Sequence, residues 1–484
     1  MITYTNLIGG EAVASASQFI TYNPADTREA VASYADAGEA EARSAIESAL
    51  RAYPAWAAQT PVARGRILSK ASQLIESAKS DLAKLLTREE GKTLAEATGE
   101  VQRAADIFRF FGGLSYTLGG QTIPHDLPGN LMYTRREPVG VVGLITPWNF
   151  PIAIPVWKLA PALLCGNAVV LKPSPIAPGL SFEVAKILAQ AGLPAGVLNV
   201  ITGQTPASGQ TIAAHPKVAA VSFTGSYKVG SQVYQQLAPR MARAQMEMGG
   251  KNPTIVLADA DLEFAANLII RAGLGLTGQA CTATSRVIVE KAVAGSLVEK
   301  LVQKAKAFKV GNGLEAGVDM GPIVSKSQLE KVLGHIASAK AEGAKLVTGG
   351  SRLADGAFAH GHFVEPTIFT NVTATMKIAS EEVFGPVIAV LTADDFDHAL
   401  KLANGVEVGL SASIVTRDLK KAMVYSERIE AGVVKINQIS TGLALQAPFG
   451  GVKQSSTDSF KEQGAAAVDF YSRIKTVYLD YSVG

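Results

Sequence analysis

Gly140-Val141-Val142-Gly143-Leu144-Ile145-Thr146 runs directly into Pro147-Trp148-Asn149-Phe150-Pro151. The first seven residues are nearly all apolar. They are too few for a helix and too continuous for a strand with one wet face, so they read as a strand buried on both faces. Similar runs occur at residues 168–171, 196–201 and 218–223. Between them lies a helical stretch, 182–191, with Gly192 placed to cap its C-terminus. Buried strands alternating with helices predict a parallel, doubly wound sheet.

The pattern then repeats. Candidate strands fall at 254–257, 286–289, 387–391, 412–415 and 433–436, with helices at 397–403 and 418–430, the latter stopped near Gly432. Two α/β units in succession predict one that holds a nucleotide and one that holds the chemistry, with the site between them. Upstream, residues 67–86 carry an apolar stripe (Ile67, Ala71, Leu74, Ile75, Ala78, Leu82, Leu85) that predicts one scaffold helix. Near the end, Val477, Tyr478, Leu479 and Tyr481 mark a strand at 476–481 that should pair with something, another subunit included.

Composition narrows the function. A chain of 484 residues exceeds one ordinary core of about 100–200 residues, so two or three domains are expected. Hydrophobic residues at 48% and charged residues at 18% exclude a disordered or fibrous chain. The net charge of +3, from 45 basic and 42 acidic side chains, leaves no footprint for nucleic acid or an anionic membrane. Two cysteines, Cys165 and Cys281, are too few for a disulfide scaffold or a four-thiolate zinc site. No metal site is expected. The apolar stretch 152–171 holds Pro155, Lys158, Pro161 and Asn167 and reads as globular core, not a membrane span. With no signal-peptide pattern at the start, the expected compartment is the cytoplasm.

Two nucleotide-like patterns fail on context. Gly91-Lys92-Thr93 resembles the end of a phosphate-binding loop, but Leu86 stands where a glycine is required and no strand precedes it. Gly273-Leu274-Gly275-Leu276-Thr277-Gly278, with Glu299 beyond, follows a helical stretch instead of a strand. A third, Phe223-Thr224-Gly225-Ser226-Tyr227-Lys228-Val229-Gly230, follows a buried strand and opens a helix, where free N–H groups can hold a phosphate. Alone, it is equally a plain strand-to-helix turn.

Four further motifs carry possible chemistry. Asn149 lies at a strand's C-terminal end, where open α/β sheets place ligands; it reads as an oxyanion donor or as part of a rigid aromatic turn. Cys281, in Gly278-Gln279-Ala280-Cys281-Thr282-Ala283-Thr284, is a nucleophile or a small hydrophobe, whereas Cys165 reads as structural. Glu247, in Glu247-Met248-Gly249-Gly250-Lys251-Asn252-Pro253, is a desolvated general base or an exposed helix-end acid. Glu381-Glu382-Val383-Phe384-Gly385-Pro386, taken singly, is a solvated loop.

Read in order, these segments, with Lys172-Pro173-Ser174 and Pro448-Phe449-Gly450-Gly451, resemble the aldehyde dehydrogenase superfamily across essentially the whole chain. The interval from Glu247 to Cys281, 281 − 247 = 34, fits that resemblance. It implies a Rossmann-type cofactor domain (1–115 and 139–249), an α/β catalytic domain (250–451) and a small β oligomerisation element (116–138 and 465–484), in a homodimer or homotetramer. It also implies Cys281 as nucleophile, Asn149 as oxyanion donor and Glu247 as general base. Ile145, Trp148, Lys172, Ser174, Gly225, Ser226, Gly230, Glu382 and Phe384 match cofactor-binding positions.

Pro175 stands where NAD-preferring relatives often carry a ribose-binding glutamate, so NADP is expected to be accepted beside NAD, and to be favoured. The substrate is expected to be a small aldehyde. The segments 281–286, 409–413 and 445–456 look most like bacterial 2-oxoglutarate semialdehyde (2,5-dioxopentanoate) dehydrogenases, with succinate-semialdehyde dehydrogenases close by. Expected pocket residues are Phe150, Ala153, Ile154, Trp157, Arg271, Gly275, Thr282, Leu443 and Phe449. Trp157 and Gly275 occupy positions where semialdehyde-specific relatives often have arginine, which keeps aliphatic and aromatic aldehydes open. A CoA-acylating relative and a non-catalytic homologue are the alternatives in kind; the presence of Glu247 weighs against the first, and the intact Cys281, Asn149 and Glu247 against the second.

Overall fold

The computed structural model describes residues 1–482, so positions 483–484 of the expected oligomerisation element lie outside it. Two seven-stranded sheets dominate. The first runs in the order Arg243–Met248, Val218–Gly225, Val141–Thr146, Ala168–Pro173, Leu198–Val200, Asn6–Ile8, Glu11–Val13. Its first five strands are parallel and its last two antiparallel. The strand Val141–Thr146 has the next strand in sequence on one side and Val218–Gly225 on the other. The order reverses there, opening a crevice at the C-terminal strand ends where such sheets bind ligands.

The second sheet runs Lys345–Thr348, Thr367–Thr370, Val387–Ala393, Arg286–Glu290, Pro253–Val256, Ser411–Val415, Val433–Ile436. All neighbours are parallel except the first pair. The four residues Gly249-Gly250-Lys251-Asn252 join the last strand of the first sheet to Pro253–Val256. So short a link sets the C-terminal edge of one sheet opposite the N-terminal edge of the other. The residues preceding Arg286, Val387 and Ser411 therefore also reach that edge.

Local chemistry explains the helix ends. Gly192 closes Gly179–Ala191 in the left-handed conformation, φ 105°. Asp395 and Asp418 cap Phe396–Asn404 and Leu419–Arg428 by accepting from the amides of His398 (2.8 Å) and Lys421 (3.0 Å). Helix Leu419–Arg428 therefore starts after Asp418 and ends before residue 430. The strand expected at 196–201 is shorter, Leu198–Val200.

The single helix expected over 67–86 is two helices, Pro61–Ser77 and Lys79–Glu90, broken at Ala78 (φ −93°, ψ 6°). Both halves pack on the long helix Leu94–Leu114, so the apolar stripe survives the break. Arg243–Met248, which carries Glu247, escapes detection because Arg243, Gln245 and Glu247 interrupt its apolar residues.

The strand Ser472–Asp480 pairs antiparallel with Asn130–Pro138, which also holds Thr122–Ile123. Its outer edge is unpaired, and Ile474, Tyr478 and Leu479 are exposed on it.

One glycine fixes how closely helix Ala207–Ala214 approaches the first sheet. A Cβ on Gly143 would overlap Ile212 of helix Ala207–Ala214 and come within 3.3 Å of Val221. Overpacking of this kind costs about 1–3 kcal/mol. Gly143→Ala should lower the unfolding free energy by that amount, seen in equilibrium unfolding as a lower urea midpoint at an unchanged slope.

Candidate active site

Between the facing sheet edges lies a cleft of about 740 Å³, part of it open to solvent. Trp148 and Asn149 enter from the end of Val141–Thr146, Gly225 and Ser226 from the end of Val218–Gly225, and Glu247 from Arg243–Met248. Cys281, Glu382, Phe384 and Leu410 enter from the loops that precede second-sheet strands. Ile154, Trp157 and Phe449 form an apolar wall, the last two rings 5.8 Å apart.

Cys281 follows a tight turn in which Leu276 and Thr277 both take φ 55°, a left-handed conformation costly for residues bearing a Cβ. The Asn252 amide holds the loop beyond that turn by donating to the carbonyls of Cys281 (2.8 Å) and Ala283 (2.9 Å). The Asn149 side chain donates 3.0 Å to the Gln279 carbonyl, two residues before the cysteine. One hydrogen bond thus ties the amide to the sulfur's own loop. Part of the Cys281 surface opens to the cleft, but burial of the thiol, followed by the nearby Glu382 and Glu247 carboxylates, pushes it up to about 12.

Glu247 is buried at the end of its strand. Its carboxylate accepts from the Gly451 amide (3.2 Å) and the Ser456 hydroxyl (3.3 Å). Burial, then the Glu462 carboxylate, holds it well above the usual carboxylate range, against the opposing pull of Lys158 and the Gly451 N–H. Behind it, Lys158 pairs with Glu462 and donates to Ser222 (2.6 Å), which donates to Gln245 (2.8 Å). Glu462 also brackets the apolar wall, since its backbone exchanges two 2.6 Å hydrogen bonds with Phe449.

The expected cofactor residues divide between the cleft and the flank of the first sheet. Trp148, Gly225, Ser226, Glu382 and Phe384 line the cleft. Trp148 meets Phe384 edge to face at 5.3 Å, and Phe384 is itself left-handed at φ 56°. The Glu382 carboxylate accepts from the Gly250 amide at 3.1 Å, and burial raises its pKa. Lys172 and Ile145 lie under helix Ala207–Ala214, where a Cβ on Gly209 would stand 3.4 Å from Lys172 and 3.9 Å from Ile145. Burial brings Lys172 down to about 8, with Asp36 opposing, and no carboxylate pairs with it among the described residues. Ser174 accepts from the Ile176 amide at 3.3 Å. Gly230 lets helix Tyr227–Leu237 sit on Met248, where a Cβ would come within 2.6 Å of the sulfur.

Of the expected pocket residues, Ile154, Trp157 and Phe449 line the cleft and six others do not. Arg271 is exposed, because helix Leu262–Leu274 turns Ile270 and Ala272 inward. Gly275 ends that helix beside Glu96. Phe150 lies beneath Lys92, 4.5 Å from its ammonium, and the Ala153 amide donates to Glu100. Thr282 is buried with its carbonyl bound by Ser440, and Leu443 is half-buried against the same large hydrophobic core as Phe150. Sequence reasoning missed Lys158, Glu462, Lys92 and Glu100. For Lys158 the signal was a lone cation inside an apolar helix.

Residues 12–477 match the aldehyde dehydrogenase family. An alpha-ketoglutarate semialdehyde dehydrogenase of Haloferax volcanii is 49% identical over 98% of this chain and 99% of its own. An alpha-ketoglutaric semialdehyde dehydrogenase of Bacillus subtilis is 47% identical over 99% of this chain and 98% of its own. Among solved structures, an NAD-dependent aldehyde dehydrogenase from Sinorhizobium meliloti superposes with a TM-score of 0.96 at 36% identity, covering 100% of this chain and 95% of that one.

The two thiols should separate by reactivity. Burial also pushes Cys165 up to about 12, but it has no opening to the cleft. Iodoacetamide should therefore label native protein at Cys281 alone. Because the thiolate is the reactive form and its pKa lies far above neutrality, the rate should rise about tenfold per pH unit from 7 to 9 without levelling. Mass mapping and Cys281→Ser check this.

Proposed function

This chain belongs to the aldehyde dehydrogenase family, and from that premise we propose that it oxidises 2-oxoglutarate semialdehyde (2,5-dioxopentanoate) to 2-oxoglutarate with a nicotinamide dinucleotide. The gathering of Cys281, Asn149 and Glu247 on one cleft carries the reading of the chemistry. The names of the Haloferax and Bacillus relatives support the substrate. The apolar wall of Ile154, Trp157 and Phe449, with Trp157 where an arginine could have stood, favours a second reading, a broad aliphatic or aromatic aldehyde dehydrogenase.

The Cys281 thiol gives up its proton to solvent as its sulfur adds to the aldehyde carbon, giving a thiohemiacetal. The Asn149 amide and the Cys281 backbone N–H donate to the oxygen as it becomes anionic. A nicotinamide dinucleotide, when bound, supplies the hydride acceptor. Loss of the C–H hydride leaves a thioester on Cys281. Glu247 then takes a proton from water, whose oxygen attacks the acyl carbon; the C–S bond breaks, the acid leaves, and the departing thiolate takes up the proton from Glu247, restoring thiol and base. Water as acceptor, in place of CoA, follows from the buried base.

The residues suit such a cofactor. Lys172 is a buried cation without a carboxylate partner, and the eleven-residue helix Tyr227–Leu237 starts at Ser226 with no side-chain cap on its first amides. Pro175 removes a carboxylate that would repel a 2′-phosphate, so we expect NADP to be accepted beside NAD, and favoured. We further propose that two or four copies assemble through the open edge of Ser472–Asp480, in the cytoplasm. No helix among the described residues is long and apolar enough to cross a membrane.

Glu247→Gln should release about one reduced nicotinamide per site in a rapid burst, then turn over about 10²–10⁴-fold more slowly, as followed by stopped flow. Since the Glu247 pKa is raised, wild-type kcat should climb with pH as the acid deprotonates, and the variant should lose that limb. A kcat/KM panel of 2,5-dioxopentanoate, succinate semialdehyde, pentanal and benzaldehyde, run with both nucleotides, should rank 2,5-dioxopentanoate first and show NADP saturating at least as tightly as NAD. Benzaldehyde or pentanal in first place would establish the second reading.

A further inference from the structure

Gly91-Lys92-Thr93, which fails as a phosphate loop, has another use in the fold. Gly91 ends helix Lys79–Glu90 in the left-handed conformation, φ 101°, and Thr93 caps helix Leu94–Leu114. Lys92, between them, is buried at 2% exposure and turns inward beneath the Asn149 turn. Its ammonium donates to Glu100 (2.6 Å) and to the Asn149 carbonyl (2.8 Å), and faces the Phe150 ring at 4.5 Å. The other Glu100 oxygen accepts from the amides of Ile152 and Ala153, both at 3.1 Å. Two side chains thus hold both ends of residues 149–153.

The same stretch braces the cysteine side. Glu96, one turn before Glu100, accepts from the Leu276 amide at 2.7 Å, where the chain is left-handed five residues before Cys281. Burial works against the Lys92 charge, but the Glu100 and Glu90 carboxylates outweigh it and hold its pKa above the usual lysine value. A buried ion pair is a poor source of stability, since apolar replacements of similar volume are often neutral or better. A pair kept here, each member bonded to one catalytic turn, is better explained by orientation.

We propose that Lys92 and Glu100 are positioning residues for the oxyanion donor: their pair fixes the backbone of Asn149 so that its side-chain amide is held against the Cys281 loop. The proposal rests on the oxyanion reading of Asn149. A misplaced donor of this kind costs up to about a hundredfold in rate. The paired variant Lys92→Met/Glu100→Gln removes both charges of the pair; the buried Glu90 carboxyl, 3.8 Å from the Lys92 ammonium and already raised to about 7 by burial, is left to take up a proton, and thermal melting checks that this form folds.

The test is a cycle of wild type, Asn149→Ala, the paired variant, and all three substitutions together, in the full chain with its nucleotide. The paired variant should lose about 10- to 100-fold in aldehyde kcat/KM, with the KM for the nucleotide unchanged. On the Asn149→Ala background the same pair should cost less than about twofold, because the donor it serves is gone. Losses that multiply on that background, or a paired variant as fast as wild type beside an impaired Asn149→Ala, would overturn the positioning role alone. Asn149→Ala as fast as wild type would overturn the oxyanion reading and this proposal with it.

Discussion

Asn252 makes the contact on which the site most depends. It closes the four-residue link between the two sheets, donates to the carbonyls of Cys281 and Ala283, and accepts from the Ser411 amide at 3.0 Å. A link this short cannot let the sheets drift apart, and the side chain at its end binds the cysteine loop and the neighbouring strand together. Glu247 lies at the other end of the link. The acid and the sulfur are therefore held by one short piece of backbone, although 34 residues separate them in sequence (281 − 247 = 34).

The cleft's electrostatics follow from that closeness. The thiol, Glu247 and Glu382 all face one another in a poorly solvated space, and each has its pKa raised with burial as the first cause. The two carboxylates hold back ionisation of the thiol, while burial, joined by Glu462 at Glu247, raises each carboxyl, so the resting site carries less negative charge than its composition suggests. Lys158 offsets part of this from behind, through Glu462, without reaching into the cleft. The sulfur is thereby kept as a thiol, resistant to oxidation, until the balance around it changes.

Much of this was legible in the sequence because local rules decide it. Short apolar runs became buried strands at 141–146, 168–173, 218–225 and 286–290, and Gly192, Asp395 and Asp418 ended or began helices as their chemistry dictates. Asn149, Cys281 and Glu247 stood out as polar residues at strand ends or among glycines. What stayed hidden depends on partners far away in the chain. Lys158 meets Glu462 across 304 residues, and no spacing rule joins them. Lys92 was visible but lacked a role, because the Asn149 carbonyl it binds is a backbone atom that any residue could present. Arg271 lies exposed on helix Leu262–Leu274, whose apolar Ile269, Ile270 and Ala272 take the inward face. The break at Ala78 left no trace in the periodicity because both halves serve one surface.

The three tryptophans are unevenly placed. Trp56 is sealed in the core, whereas Trp148 and Trp157 both line the cleft, one against Phe384 and the other against Phe449. Two of the three tryptophan emitters therefore face the reaction space, and the protein carries its own optical gauge of what occupies it, with no dye attached.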